Sequence, residues 1–71
     1  MAESVYKIIE LVGTSTESWE KAAETAVNKA METLRDVRIA EVEKLDLHIV
    51  DGKIEAYRAK VKVSFKFEGH R

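Results

Sequence analysis

Hydrophobic and polar positions along the chain change period three times. Val5-Tyr6-Lys7-Ile8-Ile9-Glu10-Leu11-Val12 is rich in β-branched residues and apolar at odd and even positions alike. That pattern predicts a strand covered on both faces. Gly13-Thr14-Ser15 reads as its end. Trp19, Ala22, Ala23, Ala26, Val27, Ala30 and Leu34 then recur at helical spacing, predicting a helix from about Thr16 to Asp36 with one apolar stripe. Thr14 and Glu17 have capping-box spacing, and Ser15 and Thr16 compete as N-caps. Small alanines on the stripe let the helix lie close to a sheet. Val37 to Val50 and Lys53 to Phe67 read as two long strands around Asp51-Gly52, a turn pair suited to a two-residue hairpin. The expected order is β-α-β-β: an α+β fold with a three-stranded antiparallel sheet partly wrapping one helix, as a single domain over residues 1–71.

A two-residue loop sets Val50 opposite Lys53 and fixes the rest of the register. Glu41 then faces Lys62, Glu43 faces Lys60, Val42 faces Val61, and Arg58 faces Leu45, with no acidic residue in register beside it. In this register the apolar side changes along the hairpin. Ala40, Val42, Ala59, Val61 and Val63 lie on the helix side. Leu45, Leu47, Ile49 and Ile54 lie on the other, and Lys44, Asp46 and His48 take the helix side near the tip. A β-bulge around Glu43-Lys44 would reconcile the two phases. The favoured expectation is instead that the tip turns its apolar side away from its own helix and toward a neighbouring copy. Either way one helix is too short to cover the hairpin, which points to a closed homo-oligomer.

Composition narrows the function. Twelve basic and 13 acidic residues leave a net charge of −1, which is not the footprint of a nucleic-acid binder. The absence of cysteine rules out a thiolate zinc site or a thiol nucleophile. No apolar run approaches a membrane span, and no secretory pattern is visible. A cytoplasmic protein without nucleic-acid or membrane partners is expected. Nucleophile–base pairs, clustered metal ligands and phosphate-cradling glycine loops are missing from the pattern, so the expectation is a protein that is not an enzyme.

Several pieces together resemble the dodecin family. They are Val5-Tyr6-Lys7, Gly13-Thr14-Ser15, Ser18-Trp19-Glu20 with Ala22-Ala23, Ala40-Glu41-Val42, and Tyr57-Arg58 through Val63-Ser64-Phe65-Lys66. The resemblance runs without obvious gaps from Val5 to Phe67. It implies a hollow homododecamer that stores small ligands, in many members flavins bound in pairs near a threefold axis. Flavin-binding dodecins stack the ring on a tryptophan just before the Ala/Phe-Glu-Val segment, where this chain has Ile39. They contact the ring's polar edge through a glutamine after the third-strand tyrosine, where this chain has Arg58. The cofactor-binding candidates are therefore Ile39 and Arg58 in a rebuilt pocket. The Ser-Trp-Glu helix start and the Tyr-Arg…Val-Ser-Phe-Lys strand are closest to the calcium dodecins. Calcium becomes the candidate ligand and flavin the weaker one. Glu41, Glu43, Asp46 and Asp51 are available oxygen donors, but none is assigned to a metal, and Glu41 and Glu43 already have lysine partners. Trp19 reads as core or interface packing, and His48 as a solvated or interface residue with His70 in a tail. Two other readings stay open: a flavin store with a non-standard pocket, and a structural or regulatory assembly with a vestigial ligand site.

Overall fold

A computed structural model of the protein describes residues 3–67. The elements are β1 (Tyr6–Ser15), α1 (Trp19–Thr33), β2 (Val37–Val50) and β3 (Lys53–Lys66). The strands form one antiparallel sheet in the order β1-β3-β2, so the last strand in sequence is central in space. Its Ala59, Val61 and Val63 are buried, as are Ala22, Ala26 and Ala30 of the helix. Three alanines at i, i+4 spacing form a flat helix face. That face lets α1 rest on the valine ridge of β3, and Ile9, Leu11, Val27, Leu34 and Val37 close the margins.

The helix is shorter at both ends than the expected span from Thr16 to Asp36. Ser18 is the N-cap, its Oγ accepting from the Lys21 N–H at 3.0 Å. The expected Thr14–Glu17 capping box does not form, because β1 runs on through Thr14 to Ser15. Ser15 instead accepts from the Glu17 N–H at 2.9 Å and turns the chain toward the helix. At the other end Leu34 is already extended, and its N–H donates to the Ala30 carbonyl at 2.9 Å. Asp36 in the left-handed region (φ 57°) then directs the chain into β2.

Gly13 does not end a strand. It pairs with Ala59 inside the ladder, directly beneath the helix. A Cβ built there would lie 2.0 Å from the Ala22 carbonyl oxygen and 3.0 Å from the Ala26 Cβ. The glycine is needed for close approach of helix and sheet.

The hairpin closes as expected at Asp51 (φ 51°) and Gly52 (φ 74°), the doubly left-handed turn that matches strand twist. The register is as expected beside the turn, where Ile49 faces Ile54, and from Ile39 to Val42, where Val42 faces Val61, but a further irregularity between Val37 and Ile39 sets Val37 opposite Phe65. It is shifted by one between these two stretches, where Leu45 faces Ala59, Asp46 faces Arg58 and Leu47 faces Tyr57. Two irregularities produce the shift. Glu43 is an extra residue on β2, and Glu55 is an extra residue on β3. The expectation that the tip turns its apolar side away from the helix is therefore corrected. The bulges carry Leu45, Leu47, Ile49 and Ile54 onto the helix side and move Lys44, Asp46 and His48 outward. The coverage problem survives this correction. Fifteen helical residues span about 22 Å, whereas 14-residue strands span about 46 Å. Ile49 and Ile54 remain 61% exposed, beyond the helix's reach.

Candidate functional site

The sequence places its candidate site on the outward face of the sheet, opposite the helix. Alternation along the strands sets that face out in rows. Thr14, Arg58 and Asp46 form one row, and Val12, Lys60 and Lys44 the next. Glu10, Lys62 and Glu41 follow, and then Ile8, Ser64 and Ile39.

Arg58 is not without an acid. Its Nε donates to Asp46 Oδ1 at 2.8 Å and its Nη2 to Asp46 Oδ2 at 3.0 Å, a bidentate pair between half-exposed side chains. The contact depends on the Glu43 bulge, which moves Asp46 into register with Arg58. Without the bulge Leu45 would occupy that place, as the unbroken register predicts. The Arg58 hydrogen bond holds the Asp46 carboxyl below its ordinary value of 3.8. Partial desolvation opposes this, and the charges of Arg58 and Lys44 add to it. The same hydrogen bond raises the Arg58 guanidinium further above its already high value.

Asp46 also has a role on the other face. Its carbonyl accepts from the Trp19 indole N–H at 3.1 Å. Trp19 meets Tyr57 edge-on, with ring centroids 5.1 Å apart and planes at 75°. The first residue of the helix is thus tied through one β2 residue to Arg58 on the outward side. Beside Trp19 an open cleft of about 380 Å³ runs between helix and β2, lined by Trp19, Glu20, Ala23, Val42 and Leu45. The packing role expected for Trp19 is observed, together with a hydrogen bond that the sequence pattern does not reveal.

Ile39 is 58% exposed and faces Ser64. Ser64 lies six residues along β3 from Arg58, a separation of about 20 Å. Both candidate residues are on the outward face, but one chain does not bring them together. A pocket that uses both has to draw them from different copies. Ile39 offers no π-face for a flavin ring, so the residues at this position do not fit the stacking wall of a flavin site.

The acidic candidates are dispersed. Glu43 reaches Lys62 at 3.3 Å rather than the expected Lys60, because the bulge swings it along the strand, and Lys60 is 3.7 Å from Glu10. The hydrogen bond to Glu43 is the main cause that raises the Lys62 ammonium, with Glu10 and Glu41 contributing. Glu41 faces Lys62 as expected. His48 lies 3.8 Å from Glu55, and His70 is outside the described residues. Among the described residues no three Asp, Glu or His side chains gather closely enough to hold a metal ion. Within one chain the described acidic side chains therefore do not gather toward the six to eight oxygens that calcium takes. Among the described residues no helix is long and apolar enough to cross a membrane.

The Arg58–Asp46 pair has a pH signature. The carboxyl is depressed on folding, so its contribution is present above the ordinary carboxylate value and lost as pH falls through the lower folded value. Melting temperature followed from pH 7 to pH 2 should fall in the acid limb less steeply for Asp46→Asn than for the unsubstituted protein. At pH 7 the two should differ little, because exposed ion pairs are weak. Superimposable acid limbs would show that the pair contributes nothing to folding.

The sequence model of the dodecin family matches residues 5–68. The calcium dodecin of Mycobacterium tuberculosis is 44% identical over 63 residues, spanning 89% of this chain and 89% of its own. Its crystal structure, described as that of a calcium-chelating antigen with a calcium-binding site, aligns with TM-score 0.81 and 45% identity over 96% of this chain and 97% of its own. The dodecin of Thermus thermophilus is 38% identical over 64 residues, 90% of this chain and 93% of its own. The structure of the Streptomyces coelicolor dodecin aligns with TM-score 0.88 and 31% identity over 99% of this chain and 100% of its own.

Proposed function

The chain belongs to the dodecin family, and from that premise we propose that it is a non-enzymatic homododecameric store for a small ligand or ion, with its flavin pocket rebuilt. The observation that carries this reading is the placement of Ile39 and Arg58. They share the outward face yet lie about 20 Å apart along the strands, so a pocket using both exists only between copies. The uncovered apolar stripe from Val42 to Ile54 supplies the drive to assemble, since exposed apolar surface of this extent marks an interaction site. Calcium is the favoured cargo. The similarity to the calcium dodecin supports it, and Glu41 and Asp51 have no ion-pair partner among the described residues. Copies meeting at a symmetry axis would multiply such carboxylates toward the oxygen count that calcium requires.

One observation favours a second reading, an assembly with a vestigial ligand site. Arg58 is neutralised by Asp46 within its own chain and needs no bound anion. Native mass spectrometry of the protein as purified separates the two. A dodecamer carrying calcium supports storage, and a dodecamer that stays empty when calcium is added supports the vestigial site. A folded monomer at micromolar concentration in light scattering overturns both. Melting temperature should also rise with protein concentration, because subunit binding is linked to folding.

A further inference from the structure

One row of the outward face breaks the charge pattern of the rest. Lys44 and Lys60 stand opposite each other on β2 and β3, and Val12 of β1 completes the row. The Glu43 bulge creates this pairing. In the unbroken register Lys44 would face Ala59 on the helix side. Opposed residues on neighbouring strands have Cα atoms about 5 Å apart, and like charges so placed destabilise a sheet. The bulge requires only a polar residue at position 44, not a second cation. A local rule broken with no gain inside the chain marks a candidate functional position.

The carboxylates around the row do not neutralise it. Both Asp46 oxygens accept from Arg58, at 2.8 and 3.0 Å, so Lys44 acts on Asp46 only through its charge. Glu43 turns to Lys62 at 3.3 Å. Glu10 is shared, 3.7 Å from Lys60 and 4.0 Å from Lys62, and both distances are too long for a hydrogen bond. Glu41 faces Lys62 in the next row and pairs with neither lysine. Among the described residues Lys44 makes no ion pair, and neither ammonium donates a hydrogen bond to a side chain or carbonyl.

We propose that Lys44 and Lys60 form a phosphate-binding site, each ammonium donating to a different oxygen of one phosphate group. Charge selects this class of ligand. A phosphate monoester carries about −1.5 to −2 at pH 7, which matches two ammonium groups, whereas a carboxylate neutralises only one. Hydrogen bonds between ionised partners are also the strong ones. Both lysines belong to one chain, so the site stands whether or not copies assemble and whether or not calcium is the cargo.

Phosphorus NMR titration at about pH 7.5, with chloride holding the ionic strength constant, tests the site with two probes, inorganic phosphate and methyl phosphate. The unsubstituted protein should bind one phosphate per chain. Lys44→Gln and Lys60→Gln should each weaken binding about tenfold or more, the loss expected for one charge-assisted hydrogen bond. Neither side chain belongs to the core, so both variants should keep the far-UV spectrum. Lys53→Gln removes an equal charge from the same face at the hairpin tip, where Lys53 pairs with Val50. It should leave the affinity within about twofold. Binding of both probes assigns the site to the phosphoryl group of a larger molecule, and binding of inorganic phosphate alone assigns it to the free ion. Equal losses in all three variants would reduce the effect to net charge and overturn the site. An affinity that Lys44→Gln leaves unchanged, or no binding of either probe, overturns it as well.

Discussion

Replacing Gly13 with alanine is expected to lower the unfolding free energy by about 3 kcal/mol, the upper range for overpacking a close-packed site. The new methyl would sit 2.0 Å from the Ala22 carbonyl oxygen. That atom belongs to the helix backbone, so no side-chain rotation relieves the overlap. The Ala26 Cβ and N–H nitrogen, both at 3.0 Å, block the alternative of sliding along the helix. Relief therefore requires α1 to lift off the sheet, which opens the contact of Ala22, Ala26 and Ala30 with Ala59, Val61 and Val63. The ordinary gain of roughly 0.5–1 kcal/mol from removing a strand glycine is too small to offset this. For a domain of this size the loss corresponds to a fall in Tm of more than about 10 °C. Thermal melts at one fixed protein concentration keep oligomer linkage out of the comparison. A Tm within a few degrees of the original would show that helix and sheet can separate at little cost.

The alanine stripe, the Asp51–Gly52 turn and the pairing beside that turn were legible in the sequence because each rests on a local rule. A helical period and a doubly left-handed turn need no knowledge of the rest of the fold. The role of Gly13 was not legible. Glycine serves both to end a strand and to admit a close neighbour, and composition does not distinguish the two. The middle of the hairpin was half legible. The apolar phase changes between Val42 and Leu45, and that change is the trace of an inserted residue. A chain without the bulge would have to present Lys44 and Asp46 on the helix side, and burying either unpaired is costly. A bulge costs one ladder pair and leaves only Glu43 out of register, on the solvent side beside Lys62. The preference for a neighbour over a bulge missed this balance. The same miss hid the Arg58–Asp46 pair and the Trp19 hydrogen bond, since both depend on where Asp46 falls. The outward placement of Ile39 and Arg58 was read correctly. Their separation was also readable, since it follows from strand rise and the number of residues between Arg58 and Ser64.

Converting Ile39 to tryptophan is expected to raise riboflavin affinity about 10- to 100-fold, the return from one aromatic wall worth roughly 1–3 kcal/mol per stacked ring. The unsubstituted protein should quench little flavin fluorescence at low micromolar concentration. Ile39 is more than half exposed and faces the small Ser64, so an indole there meets no core atom and the variant should fold normally. Adding Arg58→Gln should contribute less than its place in the family pocket suggests. Arg58 is held by Asp46 in a bidentate pair, and its removal frees a carboxylate on the same face as it supplies an amide. Asp46→Asn with Arg58→Gln and Ile39→Trp removes that charge and should bind flavin more tightly than the Ile39→Trp, Arg58→Gln variant. Titration of the variants by flavin fluorescence gives the order directly. The chain has a single tryptophan, which makes the opposite outcome informative. If the unsubstituted protein binds flavin tightly and the emission of Trp19 falls in step, the stacking wall is the cleft at the head of the helix, and Ile39 is not the position that decides the cargo.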